Sequence, residues 1–309
     1  MRSSSSRLRR ARPLLGTFVE ISVHGGAAAA SAAIERAFGA IARVHALMSF
    51  HEAGSDVSRV NRAAHRAPVG VDPCTYAVLE EAARIAELSE GAFDVTVAPQ
   101  LVRCGVLPAS AEPVPLARTR GFEAIELLPG HRVRFAAPTW IDLGGIAKGY
   151  AVDLACGALE RAGISDYLVN AGGDLRVGAR AEIIHVRHPA CPQAPLELGA
   201  VQSAAIATSA AYFAGRPGAT GAVHPIIAPA TGRPAPYRGS ISVEAPSCTT
   251  ADALTKVVAV RGSDAAPLLR RLGAAARLLS EAGTWQRLED WHRPSHGVRR
   301  DVPALGSHA

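Results

Sequence analysis

The sequence predicts an α+β fold, and three observations support that prediction. Helical and strand patterns follow one another without the regular alternation of a doubly wound sheet. The chain of 309 residues is 48% hydrophobic and 19% charged, which leaves ample apolar surface for a large core. Aromatic residues make up only 5%, so Ala, Leu and Val must fill most of that core. The length suits one large domain or two lobes.

In the first half of the chain, the patterns predict one strand and two helices. Residues 16–25 alternate apolar and polar side chains, which is typical of a half-buried strand. Apolar residues recur at helical spacing over 27–48 and again over 75–90, where Gly91 ends the second helix. Residues 49–62 are polar and predict a loop between the two helices.

The second half predicts a strand ending at Asp142, a glycine turn and a helix over 146–163. Residues 166–179 predict two strands joined by a tight turn at Gly172 and Gly173. The Pro- and Gly-rich span 180–243 predicts short strands and loops, and helices are predicted over 249–260 and 263–273. Residues 1–13 predict a disordered basic arm, residues 14–280 the folded domain, and residues 281–309 a C-terminal tail.

Charge and cysteine content exclude several classes of protein. The net charge is +6, but residues 1–13 hold five arginines and no acid, so the remainder is +1. A body so close to neutral does not predict a nucleic-acid groove. No apolar run reaches the roughly 18 residues of a membrane helix. The five cysteines lack CxxC spacing, which argues against a zinc site or a disulfide framework. Without a signal peptide or lipobox cysteine, the chain as written is expected in the cytoplasm, or in the periplasm if its start is misassigned.

Lysine is rare in this chain, and its two positions are informative. Only Lys148 and Lys256 occur among 33 basic residues. Lys148 follows the glycine turn in "IDLGGIAKGYAVD", where a helix N-terminus and a compact cation suit a phosphate group. Asp142 could accept hydrogen bonds from a nucleotide. The alternative from pattern alone, weighed about equally, is that Asp142 is an N-cap and Lys148 a solvated residue.

Several blocks together resemble the ApbE-type flavin transferases, a family of FAD:protein FMN transferases. The blocks are "LLGTFVEISV", "MSFHEAGSDVSRVN", "GAFDVTV", "IDLGGIAKGYAVD…YLVNAGGDLR", "ATSAAY…HPIIAPATGRP" and "SVEAPSCTTADALTKVV". They span roughly residues 14–260 in the family's order. The resemblance implies a T-fold-like, two-lobed architecture with mixed or antiparallel sheets and packed helices.

The resemblance also implies an activity and a set of site residues. Members cleave the pyrophosphate of FAD with Mg²⁺ and attach FMN to a Ser or Thr of a partner flavoprotein, releasing AMP. The implied cofactor contacts are Leu15, His51, Ala92, Phe93, Asp94, Asp142, Lys148, Gly172, Gly173 and Asp174. The implied metal ligands are the Gly145 carbonyl, Asp252 and Thr255. The candidate catalytic residues are Asp252, Lys256 and His224.

Departures from the family pattern keep alternatives open. The family's "H-I-I-D-P-x-T-G" is "PIIAPATG" here, so its His is Pro225, its Asp is Ala228, and His224 lies one residue early. Lys256 stands where the family has an oxygen ligand, and an ammonium has no lone pair for Mg²⁺. Either Mg²⁺ binds with Lys256 swung away, or Lys256 replaces the ion, and the sequence slightly favours the second. We expect the two lysines to converge on one pyrophosphate.

Three functions fit these observations. The leading one is FMN transfer from FAD to a protein. The missing His and Asp favour a second one, an FAD carrier or assembly factor for a redox complex. The third is hydrolysis of FAD to FMN and AMP, with water in place of the acceptor.

Overall fold

The computed structural model describes residues 7–24, 27–108, 121–189, 191, 193–210 and 226–291. The helices in these ranges are α1 (Ala27–Met48), α2 (Asp56–Ala63), α3 (Pro73–Leu88), α4 (Ala98–Arg103), α5 (Ala147–Arg161), α6 (Cys248–Arg261) and α7 (Ala266–Arg271). None of them is long and apolar enough to cross a bilayer.

One sheet of eight antiparallel strands organises the fold. In their order across the sheet, its strands are β1 (Arg7–Leu14), β2 (Thr17–His24), β6 (Tyr167–Ala171), β7 (Asp174–Val177), β10 (Ala204–Ala210), β13 (Gly239–Ala245), β14 (Ala275–Ser280) and β15 (Trp285–Leu288). The smaller pairings involve β3 (Val69–Gly70), β4 (Ile125–Leu128), β5 (Arg132–Phe135), β8 (Glu182–Arg187), β9 (Pro195–Val201), β11 (Ile227–Ala228) and β12 (Arg233–Pro234). The predicted α+β class is confirmed.

The two faces of the large sheet are covered differently. On one face, apolar residues of β2, β6, β10 and β13 pack against α1, α5 and α6 in the main core. On the other face, Leu175 and Ile206 pack with apolar residues of the β8–β9 hairpin. Because successive side chains of a strand point to opposite faces, Ala205 and Ala207 face the helices while Ile206 faces the hairpin.

The predicted basic arm is wrong for residues 7–13. These residues form most of β1, which pairs along its full length with β2. Their arginines have carboxylate partners on neighbouring elements: Arg10 Nη1 and Arg12 Nη2 lie 2.7 and 2.6 Å from Glu35 of α1. Residues 7–13 thus form an edge strand, and carboxylates of other elements pair with its positive charges.

Two other local predictions are also corrected. Part of the predicted polar loop is α2, whose N-terminus is capped by Ser55 accepting a hydrogen bond from the Ser58 amide at 3.0 Å. Part of the predicted C-terminal tail, Trp285–Leu288, is β15 and pairs with β14. Short elements such as these have little periodicity, and their tertiary partners decide their conformation.

Candidate functional site

Helix α5 begins at the glycine turn, and the strand predicted to end at Asp142 does not precede it. Residues 139–146 are irregular, and α5 begins at Ala147 with Ile146 in the N-cap position. Asp142 is therefore not the helix cap, and its carboxylate instead accepts a hydrogen bond from the Gly144 amide at 3.1 Å. The amides of Ile146 and Ala147 donate to the Leu143 carbonyl at 3.0 and 2.8 Å. With these amides engaged inside the protein, the Lys148 side chain is the main positive group of this turn.

Two lysines and two aspartates form a row of alternating charge, which we call the charge row: Asp174, Lys148, Asp252 and Lys256. Lys148 Nζ forms an ion pair with Asp174 Oδ2 and lies 4.0 Å from Asp252 Oδ1. Lys256 Nζ pairs with that same Asp252 oxygen. The predicted convergence of the two ammonium groups is confirmed, because both lie against one carboxylate. Their contact with a pyrophosphate stays a prediction.

Burial makes this charge row costly unless every charge has a partner. The Asp174 and Asp252 side chains are 1% and 0% exposed, whereas Lys148 and Lys256 retain 31% and 17% exposure. The carboxylates thus form the floor and the ammonium groups reach toward solvent. A buried carboxylate left without its cation would be strongly destabilising.

The ionisation of the row follows from burial and mutual charge. Burial opposes the Lys148 charge, but Asp174 and Asp252 outweigh it and hold the lysine pKa above its ordinary value. Burial likewise opposes the Asp252 charge, but Lys148 and Lys256 lower its pKa below the usual range. Burial and the neighbouring Asp252 charge raise the pKa of Asp174. Lys148 is therefore positioned as a permanent cation rather than a proton-transfer group.

Asp142 and Phe93 border the same site. Burial raises the pKa of Asp142 to about 6, against the opposing effects of the Gly144 amide, His51 and Lys256. A Cβ placed on Gly145 would lie 3.4 Å from Lys256 Cε and 3.5 Å from the Phe93 ring. Glycine at position 145 thus keeps open a narrow space between the aromatic ring and the lysine stem.

Helix α6 carries Asp252 and Lys256, and its N-terminus lies directly against α5. Ser247 is the N-cap and accepts a hydrogen bond from the Thr250 amide at 3.1 Å. Asp252 does not cap its own helix. Asp252 instead accepts a hydrogen bond from the Gly149 amide of α5 at 3.1 Å. It therefore joins the two helices.

Asp153 is a site-building residue that the sequence reasoning missed. Its carboxylate accepts hydrogen bonds from the amides of Cys248 and Thr249 at 3.0 and 2.8 Å, and from Thr249 Oγ1 at 2.6 Å. It also pairs with Arg176 at 3.1 Å. An anion at a helix N-terminus satisfies the unbonded amides of the first turn. The only available signal was an acid five residues after Lys148 in the "IDLGGIAKGYAVD" block.

The tight turn at Gly172 and Gly173 is confirmed, and it lies beside the β1–β2 turn. Both glycines have positive φ, +67° and +105°, as a two-residue hairpin loop requires. A Cβ on Gly172 would lie 2.5 Å from Thr17 Oγ1, so the two turns touch. Leu15 in the β1–β2 turn donates its amide to His45 Nδ1 at 3.0 Å.

The remaining predicted residues occupy different surroundings. Ala92, Phe93 and Asp94 follow α3 and are buried. Asp94 accepts hydrogen bonds from the Thr96 amide at 2.8 Å and the Phe122 amide at 3.1 Å, so part of its role is to hold this turn. His51 is exposed. His224 lies outside the described residues.

The described residues do not fit the magnesium site that the sequence resemblance implies. Asp252 Oδ1 holds Lys256, Oδ2 accepts the Gly149 amide, and the main-chain oxygen accepts from Thr255 Oγ1 at 2.7 Å and from Lys256 Nζ at 3.1 Å. Thr255 Oγ1 is also within 2.8 Å of Ser209 Oγ. Mg²⁺ requires several oxygens at about 2.0–2.1 Å in octahedral geometry. The oxygens of Asp252 and the Thr255 hydroxyl already have protein partners.

Comparisons with known proteins point to one family. Residues 15–278 match the family model described as the ApbE family. The chain is 34% identical over 234 residues to an FAD:protein FMN transferase of Vibrio cholerae serotype O1, covering 70% of each chain. It is 31% identical over 294 residues to that of Treponema pallidum, covering 85% of this chain and 81% of the relative.

Solved structures with a similar fold are also ApbE proteins. The flavin transferase ApbE from Vibrio cholerae is similar with a TM-score of 0.77 and 26% identity, covering 92% of this chain and 96% of that one. The ApbE protein from Thermotoga maritima is similar with a TM-score of 0.78 and 29% identity, covering 92% and 97%.

Proposed function

The chain belongs to the ApbE family, and on that premise we propose that it transfers FMN from FAD to a serine or threonine of a partner flavoprotein. The observation that carries the proposal is the charge row. Two ammonium groups, held by buried carboxylates beside a glycine turn, present two neighbouring cations of the kind that bind a pyrophosphate. FAD is the substrate, and the acceptor is a second protein.

The transfer exchanges the phosphoanhydride bond of FAD for a phosphoester bond to the acceptor. The acceptor hydroxyl oxygen attacks the phosphorus on the FMN side of the pyrophosphate, and the bond from that phosphorus to the AMP oxygen breaks. AMP leaves with the bonding electron pair, and the hydroxyl proton passes to a base. His224 remains the candidate base from sequence. Negative charge grows on the phosphoryl oxygens and the leaving AMP, so fixed cations lower the barrier.

The residues around the charge row divide this work. Lys148 and Lys256 bind the pyrophosphate, and Asp174 and Asp252 hold the two ammonium groups in position. Phe93 and His51 offer ring surfaces to the flavin or adenine. Asp142 is a hydrogen-bond acceptor for the nucleotide. Asp153 keeps α6 docked on α5, so that Asp252 and Lys148 stay together.

A transfer assay with purified protein tests the proposal. The protein is incubated with FAD and an acceptor domain that contains a threonine site, and mass spectrometry follows the acceptor. We expect a mass gain of one FMN, with one AMP released for each FMN transferred. Tight FAD binding with no transfer would favour the carrier function. AMP release without any acceptor would favour hydrolysis of FAD.

A paired substitution tests the role of the charge row. Removing Lys148 alone would leave Asp174 buried without its cation, so Lys148→Met is combined with Asp174→Asn. We expect the pair to keep the fold and to lower transfer by about 100-fold or more, because a charge-assisted contact to phosphate is lost in the transition state. Arg161→Met, at the far end of the same helix, is the matched control and should leave transfer unchanged.

A further inference from the structure

Lys256 lies where the family resemblance implies a divalent ion, and its position is built into the fold. Its ammonium donates to Asp252 Oδ1 and to the Asp252 carbonyl at 3.1 Å. Its stem passes beside Gly145, another residue to which the resemblance assigns a metal ligand. At 17% exposure, the side chain is part of the site wall and not a solvated surface lysine.

The Asp252 carboxylate, which would hold the ion, already has hydrogen-bond partners on both oxygens. Both Asp252 carboxylate oxygens and its main-chain oxygen have protein partners. Lys148 adds a second positive charge 4.0 Å from Oδ1. A divalent ion would therefore have to displace one ammonium and approach another, and both contacts are repulsive.

We propose that the Lys256 ammonium takes the place of the divalent ion, so that this protein binds FAD and transfers FMN without Mg²⁺. This inference rests on the proposed function. Lys256 uses two of its three ammonium hydrogens in its contacts with Asp252, which leaves one for a pyrophosphate oxygen. Lys148, held by Asp174, supplies the second cation. No bond beyond those of the transfer itself forms or breaks, and the ammonium keeps its protons throughout.

The charges of the four groups support this assignment. Before FAD binds, two ammonium groups and two carboxylates make the charge row neutral, so the folded protein needs no added ion to hold it together. When FAD arrives, the ammonium groups lie on the exposed side of the row and the carboxylates on the buried side. The pyrophosphate thus meets the cations first.

The wild-type protein alone tests the inference by FAD binding. FAD affinity is measured by fluorescence in excess EDTA and again in excess Mg²⁺. We expect the two dissociation constants to agree within about twofold. A loss of tenfold or more in EDTA that Mg²⁺ restores would overturn the inference, while leaving the transfer function intact. Transfer to the acceptor is followed in the same two buffers, with the same expectation.

A second measurement does not depend on FAD. Mn²⁺ replaces Mg²⁺ as a paramagnetic probe, and its binding to the protein alone is followed by electron paramagnetic resonance. We expect no stoichiometric binding to wild type at sub-millimolar Mn²⁺. One tightly bound Mn²⁺ per wild-type chain would show that Lys256 yields to the ion, and the inference would be wrong.

Lys256→Thr is the informative variant, because it restores an oxygen at the position. We expect it to bind Mn²⁺ and to bind FAD about 10- to 100-fold more weakly in EDTA than in Mg²⁺, since a charged contact to the pyrophosphate then depends on the ion. Arg261→Thr removes a basic residue from the same helix, where it pairs with the exposed Glu90, and should match wild type in both assays. Equal metal independence of both variants would contradict the assigned role of Lys256.

Discussion

The close contact between α5 and α6 makes Gly149 the most sensitive backbone position near the site. A Cβ at this residue would lie 2.2 Å from the Cys248 carbonyl oxygen and 2.8 Å from the Thr249 amide nitrogen. Both atoms belong to the backbone, so no side chain can rotate away. We predict that Gly149→Ala strongly destabilises the protein, although alanine is the better helix former.

The size of the effect follows from these contacts. A Cβ atom essentially never lies closer than 3.0 Å to a non-bonded atom, so the helices must separate by about 0.8 Å. Overpacking of this kind costs about 1–3 kcal/mol. The separation also stretches the hydrogen bonds from the Cys248 and Thr249 amides to Asp153, and the loss of one charged hydrogen bond adds about 1.5–3 kcal/mol. The expected loss in the free energy of unfolding is therefore about 2.5–6 kcal/mol.

Urea unfolding measures this change, and Gly157→Ala supplies the matched control in the same helix. A Cβ at Gly157 would meet only the Arg161 guanidinium, at 3.2 Å, and that flexible group can move. We expect Gly157→Ala to be neutral or stabilising by up to about 1 kcal/mol. If Gly149→Ala were as stable as Gly157→Ala, the close packing of α5 on α6 would be refuted.

Two further predictions concern carboxylates near the site. The folded-state pKa of Asp142 is raised to about 6, so the folded protein binds the proton more tightly and loses stability as pH rises from about 4 to about 6. Asp142→Asn should remove this loss and raise the free energy of unfolding above pH 7 by up to about 3 kcal/mol, and identical pH profiles of variant and wild type would contradict it. Asp153→Asn should lower the free energy of unfolding by about 2–4 kcal/mol, because it weakens the cap of α6 and the pair with Arg176. Glu90→Gln, at an 81% exposed side chain, is the control, and an equally small effect of both substitutions would show that the cap is not needed.

Long segments with a regular hydrophobic period were predictable from the sequence. Helix α1 has the predicted bounds, and α5 and α6 begin within one residue of them. The tight turn at Gly172 and Gly173 followed from residue type alone, because only glycine accepts two successive positive φ values without strain. These features depend on neighbours along the chain, and such neighbours are visible in the sequence.

Local pattern failed where distant residues supplied the partner. The arginines of residues 7–12 suggested a disordered arm, and Glu35 on α1 helped turn them into an edge strand. Nothing in the local pattern indicated that Asp252 would contact the Gly149 amide and Lys148 of another helix. Asp153 gave no distinct signal, because its partners lie about 95 residues further along the chain.

The sequence by itself determined the fold class, the family and the prominence of Lys148 and Lys256 among so many arginines. The tertiary structure decided that both lysines meet on one buried carboxylate and that the oxygens of Asp252 are already engaged. The physical reason is burial. A charge removed from water must find its countercharge nearby, and the packing of α5 against α6 and β7 brings Lys148 to Asp252 and Asp174.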